Sequence, residues 1–185
     1  MSQRRYIGFL ILFVFLQGCA LTTWTYLYDR EYQDSARKFK AQVSVDWYKF
    51  NWTQSFVITK DGILLDRIVV ERRKFKDKLE FTKKKYFDDM SLEDLIEIES
   101  DNLKSNDKTN KLEIVANEPA KLDNYAAYRL EYTYFTKDNL KVRGLLYGLI
   151  ADEHVYRIYY EATDQHYFKE NKPAFDHFVE TFRLL

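Results

Sequence analysis

Residues 125–135, 140–150 and 155–161 form three long runs of aromatic and aliphatic residues with only short turn segments between them. Connections this short join antiparallel neighbours, because a parallel crossover needs a dozen residues or more. The segment is therefore expected to form an antiparallel meander. Tyr128, Leu130, Tyr132 and Tyr134 alternate with Arg129, Glu131 and Thr133, which sends the even positions to one face, toward a core. Matching apolar to apolar sets Leu130 opposite Leu146, with Lys137, Asp138 and Asn139 as a three-residue loop whose last residue suits the left-handed region. The same rule sets Leu146 opposite Ile158. Gly144 then falls between Tyr132 and Tyr160, and Gly148 between Tyr128 and Tyr156, so that tyrosine rings cover backbone bared by glycine.

The odd face of these strands carries Arg129, Glu131, Arg143, Arg157 and Glu161. In this register Arg143 stands opposite Glu161 and diagonal to Glu131, a ladder of alternating charge. Left in solvent, such a ladder contributes little to stability. Covered by a helix layer or a partner, the same residues form a polar binding surface.

Earlier in the chain, β-rich runs at residues 55–60 and 63–72 meet at Asp61-Gly62, a hairpin signal because the turn needs positive φ. Ser91 and Asp94 have capping-box spacing. Leu92, Leu95, Ile96 and Leu103 repeat with the period of a half-buried helix ending near Lys104. Residues 112–116 read as a short strand. Near the C-terminus Pro173 suits the first turn of a helix, and Phe175, Phe178, Val179 and Phe182 form its apolar stripe. The expected fold class is α+β, an antiparallel β-sheet with helices packed on it. With one cysteine in the chain no internal disulfide is available, so packing must supply stability, and 17% of the residues are aromatic.

The N-terminus reads as an export signal. Arg4 and Arg5 precede an apolar run at residues 6–15, too short for a bilayer span of roughly 20 residues. Leu16-Gln17-Gly18-Cys19 then resembles the lipobox of bacterial lipoproteins, with Gln17 where a small residue is more usual. The expected organisation is a signal peptide at residues 1–18, a lipidated Cys19 with a tether at 19–45, and one folded domain at 46–185. Trp24, Tyr28, Tyr32, Ala36 and Phe39 recur at spacings near four, so the tether is expected to be partly helical, packed on the domain or lying at the membrane interface. Acyl chains contribute about 0.8 kcal/mol per buried methylene, enough in combination to hold the protein on a membrane. Resemblance to Gram-negative lipoproteins implies the outer membrane, facing the periplasm, because Ala20 and not Asp follows the cysteine.

Charge narrows the partners. The chain has 29 Lys and Arg against 29 Asp and Glu, and the leader removes two arginines, so no basic footprint for nucleic acid exists. One basic cluster stands out: Arg72, Arg73, Lys74, Lys76, Lys78, Lys83, Lys84 and Lys85, diluted by Asp77 and Glu80. It is either a solvated loop or a docking surface for anionic lipid or an acidic envelope protein, with Arg72, Arg73, Lys74, Lys83, Lys84 and Lys85 as its core. No nucleophile elbow, phosphate-binding glycine loop or H-E-x-x-H motif occurs. His154, His166 and His177 are scattered, and His177 with Glu180 would make a poor metal site. No catalytic residue, metal or cofactor is expected.

Ile58-Thr59-Lys60-Asp61-Gly62, Glu71-Arg72-Arg73, Arg129-Leu130-Glu131-Tyr132, His166-Tyr167-Phe168, Pro173-Ala174-Phe175 and Phe182-Arg183 together resemble the PsbP-like fold, and more closely a family of small bacterial lipoproteins built on it. The resemblance implies an α/β sandwich and a non-enzymatic role as adaptor or accessory subunit. Two other readings stand beside it. A periplasmic binding module for a small or lipidic ligand would need a sizeable apolar cavity, and an envelope enzyme would need a cleft where His166 or His177 meets carboxylates.

Overall fold

Alternation governs the chain from Trp24 onward. The computed structural model describes residues 23–28, 30–51 and 53–185. The export signal, the lipobox and Cys19 lie outside the described residues. The elements run β1 (Trp24–Leu27), β2 (Arg30–Asp34), β3 (Phe39–Val43), β4 (Trp47–Phe50), β5 (Phe56–Thr59), β6 (Asp66–Lys74), α1 (Leu92–Lys104), β7 (Asn110–Leu122), β8 (Tyr125–Phe135), β9 (Lys141–Ala151), β10 (His154–Thr163), α2 (Tyr167–Thr181) and β11 (Arg183–Leu184). An eight-stranded antiparallel sheet has the order β1-β4-β5-β6-β10-β9-β8-β7, and a three-stranded sheet has the order β11-β3-β2. No helix among the described residues is long and apolar enough to cross a membrane.

The stretch expected to be a partly helical tether forms β1, β2 and β3 instead. A spacing of four fits a strand as well as a helix, because it is a multiple of two. What decides is burial at the intervening positions: Leu27 and Trp47 sit in the core as an opposed pair, and Phe39, Ala41 and Val43 alternate inward along β3.

The first meander hairpin has the expected register, with Leu130 opposite Leu146, Tyr132 opposite Gly144, and Asn139 left-handed at φ 61°. The third strand is displaced by one residue, so that Tyr159 and not Ile158 faces Leu146. The cause is the turn. Asp152 (φ 50°) and Glu153 (φ 59°) make a two-residue loop that pairs Ala151 with His154, and turn length sets hairpin register. A one-residue slip moves every side chain to the other face. Arg157, Tyr159 and Glu161 therefore share a face with Tyr132 and Leu146, while Tyr156, Ile158 and Tyr160 turn toward the opposite core.

Other boundaries also differ from expectation. Strand β6 starts at Asp66 because residues 63–65 belong to the turn after Gly62, where the Leu65 amide donates to the Gly62 carbonyl at 2.7 Å. Strand β7 is 13 residues long and tolerates Pro119 because it is the sheet edge. Helix α2 begins at Tyr167 and holds Pro173 inside it rather than in its first turn. Buried Phe168 and Asn171 anchor the turns before the proline.

Each sheet face has its own core. Helix α2 and the small sheet cover one face with stacked aromatic rings, Phe39 on Phe182 at 5.3 Å and Tyr160 on Phe175 at 5.3 Å. Helix α1 covers the other at the β7, β8 and β9 end. The Ser91–Asp94 capping box starts α1 as expected, and Leu95, Ile98 and Leu103 are buried against Tyr128, Leu130 and Leu146.

Candidate functional site

The slipped register brings charged side chains together under α1. On that face β6 and β10 set Glu71 opposite Arg157 and Arg67 opposite Glu161. Buried Arg157 donates from Nη1 to Glu71 Oε2 at 2.5 Å, and its Nε lies 3.0 Å from Oε2 of Glu99, a contact of opposite charges that is not aligned as a hydrogen bond. Glu99 comes from α1, is fully buried, and also accepts from the Tyr86 hydroxyl. Glu71 takes a second donor, Arg73 Nε, at 2.9 Å. Glu161 is held by Arg67 and accepts from the Tyr132 hydroxyl at 2.8 Å.

Glycine makes this geometry available. A Cβ at residue 144 would collide with the Tyr132 ring, and one at 148 with the Tyr128 ring. Each tyrosine lies across its glycine toward the next strand, where Glu161 and Arg157 stand opposite Gly144 and Gly148. Tyr132 finds its acceptor there. The Tyr128 hydroxyl is buried without a hydrogen-bond partner among the described residues.

The electrostatics follow from burial and pairing. Burial pushes the Glu71 carboxyl up, but Arg157 and Arg73 outweigh it and hold the pKa down at about 2. Burial and the Glu99 charge push the Tyr86 hydroxyl upward, so it stays a donor. Beside the network lies a cleft of about 240 Å³ lined by Arg67, Glu71, Asn102, Tyr132, Arg157 and Tyr159 among others. It can admit a small polar group, and its charged walls are already neutralised in pairs.

The structure divides the five-residue charged face expected from sequence. Arg129, Glu131 and Arg143 stay together on the α2 side, with Arg129 Nη2 and Arg143 Nε donating to Glu131 at 2.8 and 2.7 Å. Arg143 opposes Ala162 rather than Glu161, and its guanidinium sits 4.9 Å from the Phe168 ring centroid. Arg157 and Glu161 belong to the α1-side network.

The basic cluster is likewise not a single patch. Arg73 turns inward to Glu71, whereas Arg72 points to the other face of β6 and donates to the Tyr156 hydroxyl at 2.9 Å. Lys84 pairs with Asp101 at 2.7 Å, and Lys83 donates to the Glu80 carbonyl. Lys74, Lys83, Lys84 and Lys85 are exposed, and the surface around Lys84 and Lys85 also includes Asp94 and Glu97.

The histidines sit elsewhere. His166 pairs with Glu170 at 2.8 Å, His177 contacts Gln42 at 2.8 Å, and His154 approaches the Asp152 carbonyl at 2.5 Å. None lines the polar cleft. Among the described residues no group of three or more His, Cys, Asp or Glu is placed to hold a metal ion.

Sequence reading missed Glu71, Glu99, Tyr86 and Arg67 as one network. Glu99 alone carried a local signal: with Asn102 it lies on the buried face of α1 between Leu95 and Leu103. An acid in an apolar helical stripe needs a buried partner.

The arrangement of sheet and helices matches solved structures. Cyanobacterial PsbP (CyanoP) from Synechocystis sp. PCC 6803 superposes with a TM-score of 0.57 at 14% identity, over 91% of this chain and 96% of that one. The fold is PsbP-like. Two further structures share this PsbP-like fold. The Saccharomyces cerevisiae Ran-binding protein Mog1p has a TM-score of 0.56 at 9% identity, over 85% of this chain and 96% of its own. LpqN of Mycobacterium tuberculosis, described as involved in cell envelope biogenesis, has a TM-score of 0.56 at 12% identity, over 87% and 90%. At such identities the likeness concerns fold alone. No protein-family model matches the sequence, and comparison with curated proteins finds no match.

Proposed function

We propose that this PsbP-like chain is a non-catalytic accessory or adaptor module of the bacterial cell envelope, held on the outer membrane through lipid on Cys19 and facing the periplasm. The observation that carries the proposal is the state of the polar cleft. Arg157 is committed to Glu71 and Glu99, and Arg67 to Glu161, so these groups hold one another instead of a reacting atom. A general acid or base needs a pKa near working pH, and Glu71 is held at about 2. Neighbours of like fold include a Ran-binding protein and a protein described as involved in cell envelope biogenesis.

A lipid carrier is less well supported. The space between sheet and α2 is filled by Phe39, Phe56, Phe175, Phe178 and Phe182, all fully buried. Docking then falls to the surface, and exposed Lys74, Lys83 and Lys85 are the basic residues best placed for an acidic partner. Photo-crosslinking in cells from positions 74, 83 and 85, read by mass spectrometry, tests the proposal. Capture of one envelope protein at these positions, weakened by Lys→Glu changes nearby, is the expected result. Recovery of nothing beyond a control position on α2 would contradict it.

A further inference from the structure

The outer face of the β1–β4 pair is an aromatic surface with no helix over it among the described residues. Leu27 and Trp47 point into the core under α2, so the alternating residues Trp24, Tyr26, Tyr28, Tyr48 and Phe50 point the other way. Their rings pair across the two strands, Trp24 on Phe50 at 4.8 Å and Tyr26 on Tyr48 at 5.1 Å, and Tyr26 also meets Tyr28 at 4.9 Å. Tyr28 is 65% exposed and Tyr48 42%, with Val45 exposed in the loop before β4. Helix α1 packs on β7, β8 and β9, at the opposite end of the sheet. Strand β1 is also the sheet edge, and an aromatic edge left in water is a site for unwanted pairing.

Chain length says what covers it. Trp24 is five residues from Cys19, and an extended chain reaches no more than about 3.6 Å per residue, so roughly 18 Å separates the two at most. The headgroup zone on each side of a bilayer is itself several ångströms deep, and tyrosine and tryptophan are favoured there because each has an apolar body and a polar tip.

We propose that the Trp24–Tyr26–Tyr28–Tyr48–Phe50 face lies in the headgroup region of the membrane and sets how the domain stands on it. The inference rests on the lipid anchor at Cys19. In this orientation β1 and β4 lie against the bilayer, and α1, which packs on β7, β8 and β9, is at the other end of the sheet. The Tyr26 hydroxyl, which donates to Asp46 at 2.6 Å, marks the polar margin of the patch.

The full chain, isolated from membranes and reconstituted into phosphatidylcholine vesicles with brominated acyl chains, provides the test. Intact mass reports acylation of Cys19, and tryptophan quenching reports contact with lipid. The expected result is an acyl mass increment together with bromolipid quenching that is lost in Trp24→Phe and weakened in Tyr28→Ser/Tyr48→Ser, with thermal melting unchanged. Acylation with quenching that does not depend on Trp24 would overturn the inference and leave the anchor standing. A chain without the acyl increment would overturn the anchor and the inference with it. Trp24 shielded from aqueous acrylamide yet insensitive to bromolipid would mean that a second copy of the chain covers the face, which also contradicts the proposal.

Discussion

The ring of Tyr132 lies across Gly144, and its hydroxyl donates to Glu161 on the neighbouring strand at 2.8 Å. A glycine on β9 thus lets a side chain of β8 reach an acid of β10. Gly144→Val would push the ring aside and break that reach. We expect a loss of about 1–3 kcal/mol, the usual range for overpacking, measured by denaturant unfolding. The loss should shrink when Tyr132→Ala is also present, because contacting residues are not additive. An unchanged midpoint for the single variant would contradict the geometry.

Arg157 is the only arginine placed between Glu71 and Glu99 among the described residues. Arg157→Met should destabilise the domain by roughly 3–5 kcal/mol, since it leaves buried Glu99 without a cation and Glu71 with Arg73 alone. Replacing Glu71 and Glu99 with Gln in the same chain should recover much of that loss. Thermal melting of the set of variants measures both effects, and an additive outcome would contradict a coupled network.

Glu71 links stability to pH. Its folded pKa of about 2 lies below the ordinary value of 4.5. The ionised form is therefore favoured in the folded state. Its contribution is complete above the ordinary value and disappears as pH falls through about 2. The linked free energy is roughly 3 kcal/mol. Glu71→Gln should flatten the acid limb of a stability-against-pH curve between those values. A limb as steep as wild type would place the titration on other carboxylates.

Changing Lys83, Lys84 and Lys85 to Glu should leave the fold intact, because the three are exposed and make only surface contacts. Partner association should weaken at low salt and become less salt-sensitive, since exposed charges are screened over a Debye length of about 8 Å at physiological ionic strength. Pull-down at two salt concentrations measures this, and wild-type binding by the triple variant would remove the basic segment from the docking surface.

The meander strands and both helices could be read from periodicity because their signals are local. Tyr128 to Tyr134 alternate cleanly, the 137–139 loop ends in left-handed Asn139, and Ser91 with Asp94 caps α1. The β9–β10 turn could not be read in the same way, because Asp152 and Glu153 adopt positive φ without the glycine that usually announces it. That single turn decided whether Arg157 and Glu161 joined Arg129 or faced α1. The network escaped for a related reason: Arg67, Glu71, Tyr86, Glu99, Arg157 and Glu161 are distant in sequence and meet only through strand register. The aromatic spacing from Trp24 to Phe39 fits two periods at once, and only burial at the positions between them separates strand from helix.

Cys19 is the residue through which we propose that the domain is held at the envelope. Metabolic labelling with an alkyne-tagged fatty acid, followed by membrane fractionation of wild type and Cys19→Ala, tests it most directly. The predicted result is a labelled wild-type chain in the outer-membrane fraction and an unlabelled, unprocessed or mislocalised variant. Equal labelling of the variant, or an unlabelled wild-type chain, would contradict the lipid anchor and the adaptor role built on it.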